Sequence, residues 1–277
     1  MLSLPKLPLG PVIESVLDTL SDNLAPLTKS ISLVLETAID AVGNALMAVP
    51  PVVLILAIAL LAWRLGSRRI GLLALFGLAL IWNLGLWEPT ISTIVLVIFA
   101  TAIATAIGLP LGILAAMRPG WGRIIMPLLD FMQTMPAFVY LIPAIPFFGL
   151  GPVSAIFSTV IFAMPPCIRL TCLGIRQVPA SLTEAADAFG ATRMQRLRKV
   201  ELPLALPTIM AGVNQTIMLS LSMVVIAAMI GARGLGGEVW KAIQRLEPGL
   251  GFEAGLAVVI VAVILDRVTQ KLGSRNT

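Results

Sequence analysis

The sequence predicts an all-α integral membrane protein of about seven transmembrane helices, and three observations carry that prediction. Of its 277 residues, 58% are hydrophobic and only 12% charged, so too few polar groups remain to cover a water-soluble domain, whereas lipid solvates apolar surface. Uncharged runs extend from Leu46 to Trp63, Ile70 to Trp87, Pro89 to Met117, Phe131 to Ile168 and Leu202 to Ala232, with a weaker one from Ala254 to Leu265. The Lys and Arg residues, finally, gather in the loops at one side of these runs. A helical span takes about 20 apolar residues. The run from Phe131 to Ile168 must therefore hold two spans, folded back at the Pro143, Pro146, Gly149, Gly151, Pro152 cluster.

Taken in order, residues 1–45 form an extracytoplasmic tail. Ile13, Val16, Leu17, Leu20 and Leu24 recur at helical spacing opposite Glu14, Asp18 and Asp22, which predicts an amphipathic helix lying on the outer membrane surface. The start lacks a basic segment followed by an apolar core, so the first span is expected to act as an uncleaved anchor. Residues 46–87 supply two accessory spans, and 88–270 hold the main bundle, with a polar loop at 176–206 and a short tail at 271–277. Orientation follows from the basic residues, which resist translocation. With the Arg64, Arg68, Arg69 loop inside, only Lys6, Lys29, Arg233, Lys241 and Arg245 lie outside. The N-terminus is thus expected outside and the C-terminus inside.

The isoelectric point of about 9.8 follows from this topology. The positive charge is spread over short loops beside membrane spans and does not form one aromatic-bearing face, so nucleic acid is not an expected partner. Cys167 and Cys172 lie off the i,i+4 register in a chain without histidine, which makes them packing residues and leaves no expected metal site.

The loop at 176–206 is the most informative stretch: EAADAFGATRMQRLRKVELP, from Glu184 to Pro203. Ser181 stands three residues before Glu184, a capping-box spacing that predicts a helix from about Leu182. Gly190 is placed to end it in a left-handed turn. Thr192 can then cap a second short helix whose Arg193, Arg196, Arg198 and Lys199 face water or headgroups, until Pro203 and Pro207 restart the chain as a span. A helix, a glycine and a second helix on a membrane surface make a rigid knob.

This register, E-A-A, then Gly190, then V-x-L-P, resembles the cytoplasmic EAA loop of ABC-importer permeases. The segments DFMQTMPAFVYLIPAIPFFGLG (Asp130 to Gly151), VIFAMPPCIRLTCLGIRQVP (Val160 to Pro179), NQTIMLSLSMVVIAAMIGARGLG (Asn214 to Gly236) and AIQRLEPGLGFEAGLAVVIVAVILDR (Ala242 to Arg267) are similar to permeases of the glycine betaine/proline betaine and choline importers, over about residues 88 to 270. The resemblance implies a type I ABC-importer permease core in a bacterial cytoplasmic membrane. It implies a second permease copy (a homodimer), two ATP-binding cassette subunits and an extracytoplasmic substrate-binding protein as partners, and import of a quaternary ammonium osmoprotectant. It further implies that Glu184, Ala185, Ala186, Gly190, Leu202 and Pro203 serve ATPase coupling.

No G-x-x-x-x-G-K-[ST] phosphate loop occurs, so the chain is expected to be non-catalytic, with ATP and Mg bound by a separate ATPase. Polar groups inside apolar spans are costly and usually face a bundle interior or a cavity. Gln133, Thr134, Asn214, Gln215, Thr216, Ser220 and Ser222 are therefore candidates for the translocation path, with Phe138 and Tyr140 as π-faces for a quaternary ammonium. Helix–helix hydrogen bonding is the competing explanation for each polar residue. Asp130 and Arg169 reach furthest into the membrane, and antiparallel helices bring them within range of a structural ion pair. The rival class is an ion-coupled secondary transporter of similar solutes, which usually carries midplane ionisable groups and repeated halves.

Overall fold

The computed structural model describes residues 8–274, and every regular element among them is helical. In chain order these are α1 (Leu9–Ala48), α2 (Pro51–Leu65), α3 (Arg68–Asn83), α4 (Trp87–Met117), α5 (Pro119–Thr134), α6 (Leu141–Phe148), α7 (Pro152–Arg176), α8 (Ala180–Ala188), α9 (Arg193–Arg196), α10 (Leu202–Ala227), α11 (Leu235–Arg245) and α12 (Pro248–Ser274). The seven expected spans map onto α2, α3, α4, the α5–α6 pair, α7, α10 and α12.

Two differences from expectation have local causes. The N-terminal helix does not stop near Leu24. α1 runs for 40 residues through Pro26, about 60 Å at 1.5 Å per residue, and is long and apolar enough to cross a membrane. No glycine stands beside Pro26 to release the helix, and the hydroxyls of Thr28 and Ser30 donate back to the carbonyls of Ala25 and Pro26, carrying the turn onward. α1 lies against α4, α6 and α7, and Ser21 Oγ donates to Pro146 O at 2.8 Å.

The second difference lies in the long apolar run. The chain does reverse between α6 and α7, where Gly149 and Gly151 take φ of 74° and 134°, but Pro143 and Pro146 sit inside α6. A further break occurs at Met135–Pro136, so that α5 and the Ala137–Phe148 segment meet at 110°. Pro136 has no N–H to give to the carbonyl of Met132 four residues earlier. The Tyr140 hydroxyl donates to that carbonyl instead, and Ser158 Oγ holds the Tyr140 carbonyl at 3.1 Å. The bend is thereby pinned to α7.

The centre of the molecule is the packing of α7 against α4 and α10. Small residues let the backbones approach closely: a Cβ on Gly112 would lie 2.6 Å from Thr171 Cβ, and one on Gly212 would lie 3.2 Å from Pro166 O. Cys167 and Cys172 are free and buried in this contact, as their spacing predicts. α2 and α3, of 15 and 16 residues, form a hairpin at the side, shorter than the roughly 20 residues of a straight span.

Candidate coupling loop and translocation face

The loop between α7 and α10 forms at one end of the bundle. α8 starts at Ala180, two residues before the expected position, because the Pro179 carbonyl already accepts from Leu182 N and Thr183 N. Its N-cap is Pro179, without a side-chain cap, so the Ser181–Glu184 capping box does not form. Its C-terminus closes as a Schellman motif: Gly190 N donates to Asp187 O and Ala191 N to Ala186 O, with Gly190 at φ 77°. Thr192 and Gln195 then make a complete capping box for α9.

Arg196 does not face water. Its guanidinium is 2.6 Å from Asp187 Oδ2 and 2.9 Å from Glu201 Oε1, clamping the end of α8 to the start of α10. Glu201, only 8% exposed, needs such a partner, since an unpaired buried carboxylate is costly. Nor does the chain restart at Pro203. A π-helical turn, Leu197–Glu201, joins α9 to α10, and the whole stretch Arg193–Ile230 is one continuous helical path. Pro203 is the second residue of α10, directly after this π-helical turn. Leu197 is buried with Ile175, Ala205 and Ile209, which anchors the loop in the α7–α10 contact.

The outward side of the loop has no such cover. α8 buries none of its residues. Leu182 and Phe189 are exposed, Phe189 at 93%, and with Ala185 and Ala186 they share one helical face, while Glu184 is exposed on the opposite face. Phe189 is not among the expected coupling residues, although an aromatic in an otherwise polar loop is a signal that could have found it. The pairing of Arg196 with Asp187 across Gly190 had no local signal, because the two residues share no helical register.

The path candidates separate into two groups. Gln133, Thr134, Phe138 and Gln215 are exposed, as are Met218, Ser222 and Met229, which continue the Gln215 face of α10. The segment carrying Phe138 adjoins α10 through Tyr140 and Met223. Thr216 and Ser220, by contrast, are fully buried. Their hydroxyls donate to Gly212 O and Thr216 O, and Thr101 Oγ1 on α4 lies 3.4 Å from Ser220 Oγ. Asn214 is held by α12, donating to Asp266 Oδ1 at 2.7 Å and accepting from Thr269 Oγ1 at 2.6 Å. Ser220 and Asn214 thus join helices within the chain, and Thr216 bonds back onto its own helix. Arg169 Nη2 lies 2.5 Å from Asp130 Oδ1, with both side chains substantially exposed.

Comparisons with known proteins agree with this architecture. Residues 108–276 match the family described as binding-protein-dependent transport system inner membrane component. The glycine betaine transport system permease protein OpuAB of Bacillus subtilis (strain 168) is 49% identical over 97% of this chain and 95% of its own length. The glycine betaine/carnitine transport permease protein GbuB of Listeria monocytogenes serotype 1/2a (strain 10403S) is 58% identical over 72% of this chain and 71% of its own. A solved chain of the MetNI methionine ABC transporter in an inward-facing conformation covers 67% of this chain and 93% of its own, at 24% identity and a TM-score of 0.62, a likeness of fold. The chain therefore belongs to the family of binding-protein-dependent transport system inner membrane components, as a multi-pass permease of the ABC type and not an ion-coupled secondary transporter.

Proposed function

We propose that the chain, paired with a second copy, forms the membrane pathway of an ATP-driven importer for quaternary ammonium osmoprotectants, with glycine betaine as the first solute to test. The observation that carries this is the helix–Gly–helix loop: a rigid knob clamped by Arg196, with an unburied α8 that bears an apolar stripe of Leu182, Ala185 and Phe189 on one face and Glu184 on the other. An exposed apolar stripe on a polar surface marks a place where another protein sits. The occupant proposed is an ATP-binding cassette subunit, one for each permease copy, with ATP and Mg bound there and not on this chain. The names of the relatives support the solute class.

A conformational change is driven only by differential binding to its states. ATP binding on the partner must therefore favour one arrangement of the two docked loops. Leu197, buried between α7 and α10, carries that arrangement into the spans. The exposed strip of α10 at Gln215, Met218 and Ser222, with Gln133, Thr134 and Phe138 beside it, is the proposed path. The loop lies inside, the N-terminus outside and the C-terminus inside. A separate extracytoplasmic binding protein delivers the solute.

Proteoliposomes holding this chain with its ATPase and binding protein test the proposal. Vanadate-sensitive, ATP-dependent uptake of labelled glycine betaine is expected. Uptake that ignores ATP, or uptake confined to an unrelated solute, overturns it.

A further inference from the structure

At the end of the bundle opposite the coupling loop, the start of α4 and α11 line a half-open cavity of about 620 Å³, within the size range of small-molecule sites. Its floor consists of Ala228, Gly231, Ala232, Gly234 and Gly237, so little side-chain bulk fills it. The backbone holds the space open. Gly231 and Gly234 take φ of 87° and 131°, a region that favours glycine. Leu235 N donates to Thr93 Oγ1 at 2.8 Å, which fixes the head of α11 onto α4.

The rim carries one large aromatic and both signs of charge: Trp240, Glu88, Glu238, Arg233 and Lys241. Lys241 Nζ pairs with Glu238 Oε1 at 2.9 Å. The Glu88 carboxylate and the Arg233 guanidinium make no side-chain hydrogen bond or ion pair among the described residues, although they line the same cavity. Two opposite charges that line one cavity without pairing match a ligand that itself carries both. A quaternary ammonium has no N–H to donate and is recognised by an indole face and by carboxylate fields, whereas a ligand carboxylate is taken by a guanidinium.

We propose that this cavity is an entry site for a zwitterionic quaternary ammonium solute, its cation received by Trp240 and Glu88 and its carboxylate by Arg233. The proposal rests on the transport function above and places a specificity element in the permease itself. A single aromatic face and solvent-exposed charges make the site weak, which suits a solute that must be handed on.

The test uses the full chain in lipid nanodiscs, titrated with glycine betaine while tryptophan fluorescence is read. A saturable change with a midpoint in the millimolar range is expected, absent in Trp240→Phe. In Glu88→Gln, a change at an exposed side chain without partners, the midpoint should rise about fivefold or more. Choline, which lacks the carboxylate, should need about threefold more solute than glycine betaine, and Arg233→Gln should erase that preference. The site is refuted by a response that survives in Trp240→Phe, by one that sucrose of matched osmolality reproduces, or by none at all. It is likewise refuted if Glu88→Gln and Arg233→Gln leave the solute response unchanged and lose only uptake, which would assign these charges to contact with the binding protein. Uptake by the wild-type transporter is measured in parallel. Uptake without a fluorescence response removes the site and leaves the function standing; no ATP-driven glycine betaine uptake removes the function on which the site rests.

Discussion

The two ends of α10 solve opposite problems with similar residues. At the loop end, Arg196 is neutralised by Asp187 and Glu201, and the polar surface left outside carries an apolar stripe that ends at Phe189. At the α11 end, Glu88 and Arg233 line a hollow floored with glycine and alanine without pairing among the described residues. Charges satisfied internally stiffen a structure but recognise nothing. Charges left unpaired beside a hollow can recognise a ligand, at the cost of self-stabilisation. A stiff knob with an apolar stripe suits the transfer of force between proteins; a hollow with unspent charge suits the brief holding of a small dipolar solute.

Arg196→Ala should break the knob most strongly. It strands the buried Glu201 carboxylate, a loss of about 2–3 kcal/mol allowing for the partial exposure of Arg196. Thermal unfolding in detergent should show the drop, with Arg196→Lys recovering only part of it, since lysine cannot span two carboxylates as a guanidinium does.

Gly190→Val comes next. A β-branched residue at φ 77° strains the turn by about 1–2 kcal/mol, while the space around the glycine is open. Membrane level should hold and ATP-driven uptake should fall; normal uptake at normal expression would show that the left-handed turn is dispensable.

Phe189→Ser tests the apolar stripe without touching its scaffold. The loop should stay folded, as Phe189 packs on nothing, and affinity for the ATPase should weaken by about 1–2 kcal/mol, roughly tenfold. Co-purification and titration of ATPase binding measure it. Unchanged affinity means that the stripe is not where the partner sits.

The smallest effect is expected at Asp130 and Arg169. Both side chains are substantially exposed, so the pair should contribute about 0.5 kcal/mol. If Asp130→Asn and Arg169→Ala each lower assembly and the double variant is no worse than either, the pair acts as a unit; additive losses mean that the two residues act separately.

Much of this molecule was determined by the sequence alone, wherever the cause is local or compositional. An excess of apolar residues has no low-energy home but lipid, so the spans could be read from hydropathy. The Gly190 turn and the Thr192 cap could be read because a left-handed residue and a side-chain cap depend on neighbours within three or four positions. The Ser181 cap failed for an equally local reason: Pro179 closed the first turn earlier.

Only the tertiary structure decided which polar residues stay open. Asn214 bonds to residues 52 and 55 positions away, and Thr216 and Ser220 are buried, Ser220 beside Thr101 of α4, whereas Gln215, between Asn214 and Thr216, is exposed. Adjacent residues on a helix point about 100° apart, so which of them meets a neighbour depends on how α4 and α12 pack. The bend at Pro136 is of the same kind. A proline marks where a helix can break, but the 110° turn holds because Tyr140 supplies the missing donor and Ser158 on α7 pins it. Local rules set what each segment can do; long-range packing selects which polar groups are satisfied inside and which remain free for a partner or a solute.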